Sequence, residues 1–216
     1  MAPSPHARPA KRPDDGRLVR GRRSRSKIHA AARALFKEQG FDKTTLREIA
    51  ARAGMGASSI YRHIRSKEEL LVDELGDLQQ RAWSRLRTPS LRALPARDRL
   101  RRFLDLEHAL LVRAPDLTTI ALRATTHPEA RVARRALTLQ DQTTGLITEI
   151  LQSGRARGEL RRDADVLAAA RTLTHAIHGA RLAWANGLLD AEGCRAAVES
   201  AVAIVFDGIG ASRPAP

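Results

Sequence analysis

The segment TTLREIAARAGMGASSIYRHIRSKEE, residues 44–69, holds two helix starts around one forced stop, and it restricts the chain more tightly than any other stretch. Thr45-Leu46-Arg47-Glu48 has the order of a capping box, in which the hydroxyl accepts one orphan N–H and the carboxylate reaches back to another. Ile49, Ala50 and Ala53 then recur at helical spacing. Gly54 follows, the residue type that tolerates a positive φ where a helix ends and turns. A turn of about three residues leads into a short second helix, which packs through Ile60 and Ile64 and shows its Gly56-Ala57-Ser58-Ser59 end outward. Ser66-Lys67-Glu68-Glu69 repeats the capping order, so that helix ends near Arg65 and another opens. Upstream, Ile28, Ala31, Ala32, Leu35 and Phe36 fall on one stripe up to Gly40, which predicts a helix over 26–39 and supplies a small core under the turn. Three helices in this order form a helix-turn-helix, whose short second member suits a DNA groove.

Charge agrees with that reading. The formal net charge is +14, and residues 1–87 hold 20 Lys and Arg against 10 Asp and Glu, or +10, leaving 18 against 14, or +4, for residues 88–216. Cationic charge gathered around the motif is what phosphate neutralisation needs. Arginine accounts for 33 of the 38 basic residues, so biased composition contributes to the excess as well. Residues 1–23 mix four prolines with seven basic residues and almost no large apolar groups, which predicts a disordered arm. Such an arm either follows a DNA groove through Arg20, Arg22 and Arg23 or only solubilises the chain.

Beyond the motif, helical spacing continues with no strand alternation. Helices are expected over 66–87, 96–113, 116–125, 129–157, from an Asp163 cap to Asn186-Gly187, and over 190–206, with a proline-containing break at 88–95 and stops at His127-Pro128 and Gly158. The fold class is therefore all-α, with about nine helices. Its expected organisation is an arm at 1–23, a DNA-binding domain at 24–70, a helical domain at 71–210 and a disordered tail at 211–216. The single Cys194 excludes an internal disulfide framework and suits a reducing cytoplasm. No apolar run reaches the ~18 residues of a membrane span, and no signal-peptide core opens the chain. His175 and His178 stand at i, i+3 without a carboxylate or thiol at matching spacing, so no metal is expected. No phosphate loop, nucleophile elbow or H-E-x-x-H motif is present, so neither a cofactor nor catalysis is expected.

The stretch FKEQGFDKTTLREIAARAGMGASSIYRHIRSKEELL resembles the DNA-binding signature of the TetR (tetracycline repressor) family over about residues 26–75. Gly40-Phe41, Thr44-Thr45, Ile49-Ala50, Ala53-Gly54, Tyr61, His63 and Lys67 carry the likeness. It implies that Thr45, Ser59, Tyr61, His63 and Lys67 touch phosphates while Arg47, Ala57, Ser58 and Arg62 face base edges. The chain departs from the family at Gly56, Ser58 and Ile64. The resemblance further implies a C-terminal ligand-binding and dimerisation domain. Phe103, Glu107, Leu122, Thr143, His175 and His178 are the candidate cavity residues. Leu173, Ile177, Ala180, Trp184, Val198 and Val202 are the candidate dimer contacts, although the same stripe would also serve as the core of a single chain. The implied function is a homodimeric repressor of a palindromic operator on double-stranded DNA, released by an unknown small-molecule effector. A module that coats DNA or the nucleoid without sequence choice, or one for protein interaction, is the alternative.

Overall fold

The structure, a computed structural model, describes residues 13–127 and 129–210. Among these residues it has ten helices and no strand: α1 (Pro13–Gln39), α2 (Leu46–Arg52), α3 (Ala57–Ile60), α4 (Lys67–Arg85), α5 (Pro89–Arg92), α6 (Ala96–Leu111), α7 (Pro115–Ala124), α8 (Ala130–Ala156), α9 (Val166–Ala185) and α10 (Ala191–Ile209). The chain divides into two compact units, the first ending at Lys67 and the second beginning at Glu68. That boundary lies slightly before the expected one at residue 70.

In the first unit the local signals act as read. Thr45 is extended at φ −111° and caps α2: its hydroxyl accepts from the Glu48 N–H, and the Glu48 carboxylate accepts from the Thr45 N–H at 2.7 Å. At the other end Gly54 takes φ 67°, Met55 N–H reaches Ala50 O, and Gly54 N–H reaches Ala51 O. That pair of bonds is the Schellman closure, which a residue with a Cβ adopts only with strain. Ile28, Ala31, Ala32, Leu35, Ile49, Ala50, Ile60 and Ile64 are all buried and form the dry core beneath this turn.

Two expectations for this unit are corrected. The arm was placed at 1–23, yet α1 already starts at Pro13, because proline has its φ preset for a helix and lacks only an N–H that the first turn leaves unused. Residues 1–12 of the expected arm and the expected tail at 211–216 lie outside the described residues. The recognition helix was expected to run to Arg65, but α3 closes at Ile60 and continues only as turns, with Arg62 N–H on Ser59 O and His63 N–H on Ile60 O.

The second unit is built on α9, which packs against α7, α8 and α10, while α6 packs against α8 and α10. Its apolar core joins Trp83 of α4 and Leu86 just after it to Leu100, Phe103 and Leu104 of α6, Ile147, Ile150 and Leu151 of α8, Leu173 and Ile177 of α9, and Val202 and Phe206 of α10. Trp83 and Phe103 meet edge to face at 5.6 Å. A Cβ on Gly154 would stand 2.5 Å from the Ala96 Cβ, so the Ala96 methyl of α6 packs directly on the α8 backbone there. Glu159 fastens the same corner by accepting the Ala96 N–H at 2.6 Å.

The expected break at 88–95 contains the one-turn helix α5, since Pro89 stands at its first position and is tolerated there. This is the tenth helix. Asp165, not Asp163, caps α9, with its carboxylate accepting from Ala168 N–H at 3.0 Å. Asp163 faces Arg161 instead, at 3.7 Å. Pro128, half of an expected stop, lies outside the described residues.

Candidate DNA-binding surface and helical-domain cavities

The apolar stripes of α1, α2 and α3 turn inward, and this leaves one polar edge outside. Arg47, Ala57, Ser58 and Arg62 are exposed, Tyr61 keeps 46% of its surface, and Ser59 and His63 are half-buried. All the expected base-facing residues are therefore accessible. Arg62 spends one N–H on the Ser59 hydroxyl at 2.9 Å, which orients its guanidinium across the start of α3. Thr45 is exposed at its cap. Arg52 of α2 pairs with Glu38 of α1 through two bonds, at 2.9 and 2.7 Å, and this fork fixes the angle between the helices that carry the edge.

Lys67 is placed less simply than expected. Its ammonium donates to Phe41 O at 2.7 Å and Asp42 O at 3.3 Å, and sits 4.4 Å from the centre of the Phe41 ring. Two of its three donors thus close the loop after α1, leaving one for a phosphate. The sequence could not show this, because Phe41 and Lys67 are far apart in the chain.

Within the second unit, Glu107, Leu122, Thr143 and His178 come together, as expected, in the lining of one cavity of about 30 Å³, with Leu75, Leu111, Leu139, Gln140 and Arg181 among its other walls. Two expected members fall elsewhere. Phe103 is wholly buried against Trp83 in the apolar core, and His175 is exposed on the outer side of α9, in the groove between α8 and α9. A side chain at i+3 lies roughly 60° short of a full turn, enough to turn His175 out while His178 turns in.

The cavity wall is tied polar group to polar group. Glu107 is 3% exposed and accepts both Arg181 Nη groups, at 3.3 and 2.5 Å. Gln79 of α4 donates to the Thr143 hydroxyl of α8 at 2.6 Å, with both side chains buried. Nearly three turns nearer the start of α4, Glu69 is fully buried and accepts from Arg131 and Arg135 of α8, and Arg135 also pairs with Asp73. The His178 imidazole is held below the usual histidine value, first by burial and then by Arg181 and His175.

The expected dimer stripe is corrected. Leu173, Ile177 and Val202 belong to the core of this subunit and Trp184 is buried, so these four are not available to a partner. Of the six, only Ala180 and Val198 keep partial exposure. Apolar spacing marks the buried side of a helix without saying what buries it.

A helix-turn-helix head with an outward polar edge, followed by an all-helical unit with an internal cavity, defines the class of ligand-responsive, DNA-binding transcriptional regulators. The model of the bacterial regulatory proteins of the tetR family matches residues 28–73, and the tetracyclin repressor-like C-terminal domain matches residues 93–182. The chain belongs to the TetR family. It is 28% identical over 167 residues to the HTH-type transcriptional regulator AqdR of Rhodococcus erythropolis, covering 74% of this chain and 75% of that one. With the HTH-type transcriptional repressor KstR2 of Mycolicibacterium smegmatis it shares 26% over 181 residues, 77% of this chain and 76% of the other. Among solved structures it is similar to Thermus thermophilus FadR, a TetR-family transcriptional repressor in complex with lauroyl-CoA. That likeness has a TM-score of 0.71 and 27% identity, and covers 89% of this chain and 98% of that one. No helix among the described residues is long and apolar enough to cross a membrane.

Proposed function

We propose that the chain is a repressor that occupies a palindromic operator as a homodimer in the bacterial cytoplasm and leaves it when a small molecule enters the helical unit. It acts by binding, not by turnover. Phosphates are gripped by Thr45, Ser59, Tyr61, His63 and the remaining donor of Lys67, while Arg47, Arg62 and the Ala57-Ser58 end read base edges. The observation that carries this reading is the exposure of Thr45, Arg47, Ala57, Ser58, Tyr61 and Arg62 over an apolar three-helix core, with Ser59, His63 and Lys67 half-buried beside them.

Dimerisation uses the outer side of α10, where Ala196, Ser200 and Ala203 are small and Ile204 is 71% exposed, with Leu188, 78% exposed, beside its start. Small residues allow a partner helix close approach, and two heads joined in this way read half-sites one DNA turn apart. At about 30 Å³ the cavity has room for one water, so an effector has to open it. Opening moves Thr143, and Thr143 is bonded to Gln79 of α4, the helix that continues directly from the head. The effector thereby favours one placement of α4 over another, which is how differential binding shifts a population. The lauroyl-CoA seen with the Thermus relative makes acyl thioesters the first class to try.

A selection from random duplexes with the purified chain, repeated with lauroyl-CoA and with a metabolite extract, tests the proposal. An enriched inverted repeat that some fraction releases is the expected result. A flat sequence preference would instead mark a module that coats DNA.

A further inference from the structure

A second chamber, about 270 Å³, lies between α6, α9 and α10, and four of its lining residues make its character plain: Arg181, His108, Cys194 and Val198. We propose that this chamber is a binding site for a small organic monoanion, a carboxylate on an apolar body, held by the N–H groups of Arg181 that Glu107 does not use. The site is separate from the effector cavity, although Arg181 belongs to both linings.

Three observations converge. The first is a prepared donor. Arg181 gives two of its five N–H groups to Glu107, which holds the guanidinium in place, and three remain on a side chain that also lines the chamber. Holding the fork in place beforehand lowers the ordering cost of a ligand contact. The second is the field. His108 is pushed below the ordinary histidine value by burial, then by Arg181 and Arg195, ahead of the opposing pull of Glu192 and Asp105. These shifts favour the neutral imidazole and the protonated Cys194 thiol, and neither group supplies an anion that would compete for Arg181. The third is shape. Leu104, Val198 and Val202 give apolar walls, and the volume equals roughly nine waters at about 30 Å³ each, enough for one ring or a short chain.

The rim favours one negative charge rather than two. Arg101 pairs with Glu199 and Arg195 with Glu192, all four side chains being well exposed, so these cations are already neutralised and contribute little. A phosphate dianion would meet Asp105 with only Arg181, itself shared with Glu107, to balance it.

Calorimetric titration of the full chain with benzoate, and with its neutral analogue benzyl alcohol, tests the proposal. Benzoate is expected to bind at least about tenfold more tightly, the difference a charge-assisted pair makes. Val198→Trp, which fills the chamber without touching Arg181, and the paired replacement of Glu107→Gln with Arg181→Gln, which removes the guanidinium without stranding a buried charge, should each weaken benzoate at least about tenfold. His175→Ala, outside the chamber, should change nothing. Equal binding of the two probes, no binding of benzoate, or benzoate binding that survives both chamber variants would overturn the proposal. The comparison of probes on the unaltered chain needs no substitution, so a variant that fails to fold does not spoil it. Operator binding plays no part in these readouts, so their failure leaves the repressor reading standing.

Discussion

The two units solve opposite problems with the same helices. The head buries almost only apolar groups beneath its turn, with Thr44 and His29 as the polar exceptions, and displays Arg47, Ser58, Tyr61 and Arg62. The helical unit takes Glu69, Gln79, Glu107, Thr143 and Thr174 inside and pairs them there. A dry core has one good packing, which suits a reader that must keep its shape. A buried polar network is held by directional bonds that a ligand can compete for, which suits a unit that must change. Rigidity and responsiveness are thus separated by what each core is made of.

The sharpest way to break this contrast is Arg135→Ala. It takes one guanidinium from Glu69, which keeps Arg131, and the same guanidinium from Asp73, and should cost about 3 kcal/mol of the helical unit's stability. Hydrogen exchange followed separately in each unit checks it, and equal loosening of the head would count against the separation. Next in size is Arg47→Ala in the head, expected to lose ~1 to 3 kcal/mol on the selected operator and almost nothing on random duplex. Competition binding with both DNAs decides, and equal losses would remove Arg47 from base reading. Thr45→Ala deletes the α2 cap and should cost about 1 kcal/mol, seen as faster exchange in α2 with α8 and α9 unaltered.

The gentlest perturbation is pH, and it should sort the units by order. His108 and His178 titrate below the ordinary value of 6.5, so the unfolded chain takes up their protons first, and the helical unit loses stability as pH falls through that value. In the head, Glu48 is held below its usual 4.5 by the Thr45 backbone N–H, so its contribution survives until pH falls under that range. Melting followed by a probe in each unit should show the helical unit softening first. The opposite order would mean that other groups govern acid sensitivity.

The same contrast explains what could be read in advance. The α2 cap, the stop at Gly54 and the exposed start of α3 depend on partners three to five residues away, and each was legible. The Glu69–Arg135, Gln79–Thr143 and Glu107–Arg181 pairs join residues 66, 64 and 74 positions apart, and no local pattern announces them. The stripe of Leu173 and Ile177 was legible as apolar, but its partner was not, because burial in a neighbour and burial in one's own subunit use the same alphabet. Asp163 and Asp165 are both fit to cap α9, and only the path of the chain chooses between them.

The contact of Gly154 with Ala96 carries one more consequence. It rivets the far ends of α6 and α8, and Thr143 lies about 16 Å along α8 from that rivet. Any side chain larger than hydrogen at residue 154 would prise this joint apart, so the spacing of the two helices at the cavity's far end depends on one missing methyl group.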